Sequence, residues 1–447
     1  MMSTKLNWNF DFKSMLLIGA FLIIARGSVL LRDVYLASRF GVDGIVDAFN
    51  ISLTLVSWPA NIIVSIITVV IIPIIIDLST QNKVGERDQL IRELNFTVVS
   101  LSFLVLVFIV VFSAPLSEFF TSSLLADTKA QTLRMTRWFA ILAFLTIIAG
   151  YFAVRLQALR NSTFTLVEGF PALALIGSFV FLERLIDDES VTIIFGVLMG
   201  ALLQCAVLIW LIRRNGERIG SPKARHTSPH WRGIYNAIGI MVLSQVVLGF
   251  TIPIDQYFLA QLGDGEVARY GYATRVVGIV MMMGTTMVSR VLLPSFSDSI
   301  GRGDLAASRQ YALKWSLGLF FTGLIGCIFA QQYAGVIVAL LFERGNFSSS
   351  DTIEIAFLVK ILIFQVPFFL SGQVFVQWFS ANRNYKILLT AGCFATLVKC
   401  TMLFVFYKNL DVNIVMYSVL AIYISTFFVL LFEFLKTDNF GKMASIE

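Results

Sequence analysis

The chain has 447 residues, of which 57% are hydrophobic and only 14% charged, with a net charge of +6 and 41 phenylalanines. That much apolar side chain exceeds what a water-soluble fold of this length needs, so the sequence reads as a polytopic membrane protein. The excess positive charge is explained by membrane topology and gives no reason to expect a nucleic-acid partner.

Twelve apolar spans follow one another, at about 15–36, 46–76, 94–115, 136–158, 164–183, 191–212, 235–259, 270–296, 313–331, 354–380, 385–407 and 414–435. No small-residue cleavage site follows the first span, which runs into Arg32 and Asp33, so it reads as a retained helix. The second, eighth and tenth are long and carry Pro59, Pro73, Pro294 or Pro367, where kinks or extensions into the interface are expected.

Between the sixth and seventh spans lies RRNGERIGSPKARHTSPHWR, Arg213–Arg232, the one extended basic linker. It separates an N-terminal six-helix lobe, 1–212, from a C-terminal six-helix lobe with a short tail, 233–447. Both histidines, His226 and His230, lie in it. Two histidines alone do not make a metal set, and a solvated loop beside anionic lipid is expected. With the N-terminus inside, twenty Lys and Arg fall on the inner side, eight on the outer side and six within spans, out of 34. The positive-inside rule then puts both termini in the cytoplasm.

The halves repeat. One long span ends IIPIIIDLS, with Pro73 and Asp77, and another ends LLPSFSDSI, with Pro294 and Asp298. Six spans per half gives the halves one orientation, as in transporters whose substrate site lies between two lobes around a central cavity.

Charges inside the spans are the candidates for function, because an arginine at mid-membrane costs about 2.5–3.5 kcal/mol on insertion scales. Arg275 and Arg290 share a helix stripe with Gly278, Met282, Thr286 and Ser289. That stripe reads as the wall of a wet, cationic cavity, with Arg290 also close enough to the helix end to snorkel. Arg26 lies near the middle of the first span, and Arg32 sits next to Asp33. The positive sign suggests an anionic substrate, and guanidinium suits bidentate grip on phosphate. Asp47, Asp255 and Glu168 are candidate carboxylates for coupling to Na+ or H+, the bland alternative being pairing with a nearby cation. Lys360 and Lys399 would snorkel or pair with carboxylates. Cys205, Cys327, Cys393 and Cys400 lie in apolar runs and read as packed free thiols. No Walker A sequence and no nucleophile–base or metal cluster appears, so no enzyme chemistry, metal or cofactor is expected. Energy would come from an ion gradient, the membrane potential or consumption of the product.

Three stretches carry a family resemblance. LLRDVYLASRFGVDGIVDAFNIS (Leu30–Ser52), YGYATRVVGIVMMMGTTMVSRVLLPSFSD (Tyr270–Asp298) and LLFERGNFSSSDT (Leu340–Thr352) resemble, in order, segments of the MurJ (MviN) lipid II flippase family, within the wider flippase and exporter superfamily. The resemblance implies an all-α membrane protein of about twelve transmembrane helices, in two six-helix lobes around a central cavity that opens alternately to each face. It implies an undecaprenyl-diphosphate-linked saccharide as substrate, lipid II or an exopolysaccharide or O-antigen repeat unit, in a bacterial inner membrane. Family cavity residues match Arg26, Arg32, Arg275 and Asp47. Three departures stand out. The apolar LVSWPANII around Trp58 replaces a family arginine, Thr274 and Gly278 replace acidic positions, and the two C-terminal helices usual in the family do not follow the twelfth span.

The reading is therefore a non-enzymatic flippase, expected to be a monomer, with membrane lipids and glycan-synthesis enzymes as further partners. A cation-coupled multidrug or metabolite antiporter would favour an acidic or apolar cavity. A glycan polymerase would need large outer loops, and a non-transporting assembly scaffold would have no use for buried arginines.

Overall fold

The computed structural model describes residues 8–443 except 82, 160, 162, 183–184, 218 and 303, with side chains from residue 21 onward except at 236–237, 240–241, 243–244, 248, 290 and 437–443. The side chains of Lys5, Lys13, Arg160, Arg184, Arg218, Arg290 and Lys442 lie outside the described residues. Among the described residues there is no strand. The helices are α1 (Trp8–Phe40), α2 (Gly44–Thr80), α3 (Val84–Thr121), α4 (Ala126–Ala158), α5 (Phe164–Val167), α6 (Phe170–Leu182), α7 (Glu189–Arg214), α8 (Trp231–Gly249), α9 (Thr251–Ala260), α10 (Glu266–Gly301), α11 (Leu305–Phe342), α12 (Ser349–Leu362), α13 (Gln365–Ala381), α14 (Tyr385–Val405) and α15 (Val412–Met443). Each of the twelve expected spans is present. Ten are long and apolar enough to cross a bilayer within the described residues.

Three spans are broken: α5/α6, α8/α9 and α12/α13. Each break lies just ahead of a proline, Pro171, Pro253 or Pro367. Proline lacks an N–H and its ring collides with the carbonyl four residues back, which leaves that carbonyl needing another donor. At Pro367 the carbonyl in question is that of Ile363, and the Cys327 thiol donates to it at 3.1 Å. A Cβ at Gly323 would stand 2.7 Å from Pro367 Cα, so glycine is what lets α11 approach this break. Pro59, Pro73 and Pro294, where kinks were expected, sit inside unbroken helices.

The chain forms two compact units, Met1–Leu36 with Ala48–Gly249, and Ala37–Asp47 with Phe250–Glu447. In the first, α3 packs on α4, α6 on α7 and α4 on α7; in the second, α11 packs on α12 and α13, α14 on α15 and α13 on α15. One packing scheme thus recurs, in line with the sequence repeat. The matching helix ends also agree: Gln81 donates to Asp77 at 2.8 Å, and Arg302 pairs with Asp298 at 2.7 Å, both one turn on.

The units do not divide at the basic linker. The linker and α8 belong to the first unit, because buried groups of α3 and α4 hold the linker down. Glu93 on α3, fully buried, accepts hydrogen bonds from Thr227 N and Oγ1, Ser228 N and Trp231 Nε1 at 2.6–3.2 Å. Arg155 pairs with Glu217 at 3.0 Å, Lys223 N donates to the Arg92 carbonyl at 3.0 Å, and His226 stacks on Trp231 at 3.9 Å. The linker is solvated as expected, with residues 221–227 exposed, and it is also tethered to the first unit at Glu93, Arg155 and Arg92.

The second unit captures the α1–α2 corner, 37–47. Asn346 N donates to the Ser38 carbonyl at 2.8 Å, and Tyr272 OH donates to the Gly41 carbonyl at 3.1 Å. Gly41 and Gly345 both have φ of +62°. A Cβ at Gly345 would overlap the Ser38 carbonyl oxygen. This accounts for the glycine in the LFERGNF stretch: it is where two backbones meet. Gly345→Ala is expected to cost at least about 1–2 kcal/mol from the left-handed conformation alone, read as a lower melting temperature in detergent.

Candidate functional site

In the first unit, Arg26 is exposed near the middle of α1, at a depth where a cation in an apolar span is costly. The carboxylate that acts on it is Glu168. Glu168 lies at the α5/α6 break, and its neighbour Gly169 packs on Ser28, where an added Cβ would come within 2.9 Å of Ser28 Oγ. Pro171 causes the break, the break exposes Glu168, and a glycine lets that corner rest on α1 beside Arg26. Arg32 is different. The residue is 9% exposed, and its guanidinium pairs with Asp33 at 2.7 Å and lies over the Phe49 ring at 5.3 Å. It is a locally neutralised, packed arginine.

In the second unit, Asp47 is 0% exposed. Its carboxylate accepts from Gly265 N and, at 2.6 Å, from Ala268 N. These are among the first N–H groups of α10, which have no partner within their own helix. A carboxylate there also meets the positive end of the helix dipole. The expected cavity aspartate is instead the cap of α10, supplied across 218 residues of sequence. Asp255 on α9 pairs with Lys399 on α14 at 2.5 Å and accepts from Tyr270 OH on α10 at 2.8 Å. Lys399 also donates to the Thr251 carbonyl at 3.3 Å. Both side chains of the pair are 4% exposed or less. Arg275, half-buried on α10, acts electrostatically on Tyr270. Lys399, read from sequence as a lysine that would snorkel or pair with a carboxylate, pairs with the very carboxylate expected to bind an ion.

The first unit also contains a cavity of about 360 Å³ whose lining mixes amide and hydroxyl groups with apolar side chains. Its wall includes Asn61 and Thr68 on α2, Thr146 and Gln157 on α4, Gln204 on α7, and Glu168. The positions repeat at helical spacing: 61, 64 and 68 on one helix, 146, 150, 153 and 157 on the next, and 204 and 208 on the third. Only some of these positions are polar, the others being Val64, Gly150, Ala153 and Leu208, and isolated uncharged amides inside apolar runs barely alter hydropathy. Asn61 falls within the stretch that read as apolar around Trp58.

Three comparisons bear on this geometry. The family model described as "Lipid II flippase MurJ" matches residues 36–446. The chain is similar to the probable lipid II flippase MurJ of Bdellovibrio bacteriovorus, 23% identical over 386 residues, covering 84% of this chain and 72% of that one. It is also similar to that of Rickettsia prowazekii, 22% identical over 406 residues, covering 88% and 77%. Among solved structures, it superposes on a lipid II flippase MurJ in an inward closed conformation with a TM-score of 0.77, at 18% identity, covering 94% and 87% of the two chains. An inward-facing multidrug MATE transporter of the MOP superfamily gives a TM-score of 0.74 at 14% identity, covering 96% and 98%.

Proposed function

The chain belongs to the lipid II flippase MurJ family, and from that premise we propose that it carries a polyprenyl-diphosphate-linked saccharide of the lipid II class across the bacterial inner membrane by alternating access. It is a multi-pass membrane protein of the two-lobed all-α fold. The observation that carries the substrate class is Arg26, an exposed guanidinium at the middle of an apolar helix. Arg26 in the first unit and Arg275 in the second are each proposed to contact the diphosphate. A cationic wall suits a diphosphate and disfavours the cationic drugs of an antiporter. Arg32, already paired with Asp33, is proposed to act on packing instead.

Coupling to H+ or Na+ belongs to the same proposal. Asp47 caps α10 and Asp255 is neutralised by Lys399, so of the three candidate carboxylates Glu168 is the exposed one. The distribution of basic residues supports cytoplasmic termini.

The test is exposure of lipid II at the outer face of the inner membrane in cells depleted of the protein and complemented with wild type, Arg26→Ala or Arg275→Ala. Depletion is expected to trap lipid II inside. Wild type should restore exposure, and each variant should restore it at least about tenfold less, the loss of about 1.4 kcal/mol that one charge-assisted contact carries. Unchanged exposure of every polyprenyl-linked glycan on depletion would remove the flippase reading.

A further inference from the structure

The cavity inside the first unit is a separate element from the arginines, and its chemistry is uncharged for the most part. Asn61, Thr146, Gln157 and Gln204 line it from three helices, and none of their side chains hydrogen-bonds to another described residue. Within an apolar span, a polar side chain without a protein partner is costly unless it faces water or a ligand. Four such groups converging on one space are a built feature, since three separate helices each place at least one polar side chain on it. From Thr146 to Gln157 the stripe on α4 runs about 16 Å, from mid-helix to the end of the helix.

The size of the space narrows what fits. An ion site needs its oxygens at about 2.3–2.6 Å from one point. A cavity of about 360 Å³ keeps its walls apart, and lies within the range of small-molecule pockets. The lining narrows it further. Amides offer paired donors and acceptors, Thr68 and Thr146 add hydroxyls, and Phe164 adds one aromatic face. Donor–acceptor pairs with an apolar platform match a ring bearing hydroxyl and N-acetyl groups. They match neither a lipid tail, which offers no hydrogen bonds, nor a bare phosphate, which would want cations. The small residues Gly150 and Ala153 keep the space open on the α4 side. At Gly150 a Cβ would reach 2.5 Å from Val64, so the cavity's α2–α4 edge depends on glycine.

Glu168 joins this cavity to the cation, since it lines the wall and is also the carboxylate acting on Arg26. We propose that this cavity is the saccharide subsite: Asn61, Gln157 and Gln204 hydrogen-bond the sugar of a lipid-linked saccharide whose diphosphate rests at Arg26. The inference rests on the flippase reading above and adds to it the part of the molecule that reads the sugar. Sugar recognition then lies wholly within the first unit.

The test compares two probes on the full-length protein in lipid nanodiscs: lipid II, and undecaprenyl diphosphate, which has the same tail and diphosphate without sugar. Wild type is expected to bind lipid II at least about tenfold more tightly. Gln157→Leu with Gln204→Leu should abolish that preference while leaving undecaprenyl diphosphate affinity unchanged, and Arg26→Ala should weaken both probes together. Gln157→Leu alone, at the exposed end of α4, is the second variant, expected to lose part of the preference even if the double variant does not fold. Equal affinity of wild type for the two probes overturns the subsite, as does a full lipid II preference in Gln157→Leu or in the folded double variant. Binding of neither probe by wild type overturns the flippase reading itself, a different result from loss of sugar preference alone.

Discussion

Lys399→Met is expected to destabilise the protein by about 3–5 kcal/mol, the cost of leaving a buried charge without its partner. The Lys399 and Asp255 side chains are 1% and 4% exposed, so solvent cannot replace the missing ammonium. Tyr270 OH would still donate to Asp255 at 2.8 Å, but one neutral hydrogen bond does not balance a full negative charge. The pair also joins three helices, α9, α14 and α10, so its loss should loosen the second unit as a whole. Asp255→Asn combined with Lys399→Met removes both charges and keeps an acceptor for Tyr270. This double variant should recover most of the loss, because a buried ion pair replaced by neutral groups is often close to neutral in stability. Melting temperatures of the two single variants and the double variant, in one detergent, give the coupling energy directly. Additive single effects would mean that the two residues do not act as a pair. The same series bears on transport. If Asp255 were the coupling carboxylate, the double variant would fold well and lose ion dependence; with Glu168 in that role it keeps it.

Asp47→Ala is expected to cost about 2–4 kcal/mol, from two buried N–H groups that lose their acceptor at about 1–2 kcal/mol each. Gly265 N and Ala268 N would be stranded at the start of α10, where Asp47 is the carboxylate that accepts from both. Asp47→Asn keeps one of the two acceptor oxygens and should lose about half as much. The readout that separates a cap from a substrate ligand is amide hydrogen exchange in the first turns of α10. Faster exchange there, with lipid II affinity little changed in the folded protein, is the expected result. Unchanged exchange with weakened lipid II binding would return Asp47 to the substrate site.

Hydropathy alone set the number and order of the spans, because burial in lipid is a property of each stretch of about twenty residues by itself. The repeat was equally local: Pro73 with Asp77 and Pro294 with Asp298 mark the ends of α2 and α10 in both the sequence and the fold. Arg26 could be singled out for the same reason, since an unpaired charge in an apolar run stands out without any knowledge of its neighbours. The breaks were less legible. Pro59, Pro73 and Pro294 looked no different from Pro171, Pro253 and Pro367, and only the latter three interrupt a helix. Whether a proline breaks a helix depends on what is there to take the freed carbonyl, as Cys327 does for Ile363.

Partnership was decided by the tertiary structure. Asp47 meets α10 across 218 residues, Glu93 seats a linker more than 130 residues away, and Asp255 finds Lys399 on another helix. Sequence supplies the charge of each group but not the distance to its counter-charge, and over a few ångströms that distance separates a substrate ligand from a helix cap. The cavity of Asn61, Gln157 and Gln204 was hidden for the complementary reason. A single amide in a hydrophobic helix is a small perturbation, and it becomes a site only when three helices bring several to one space.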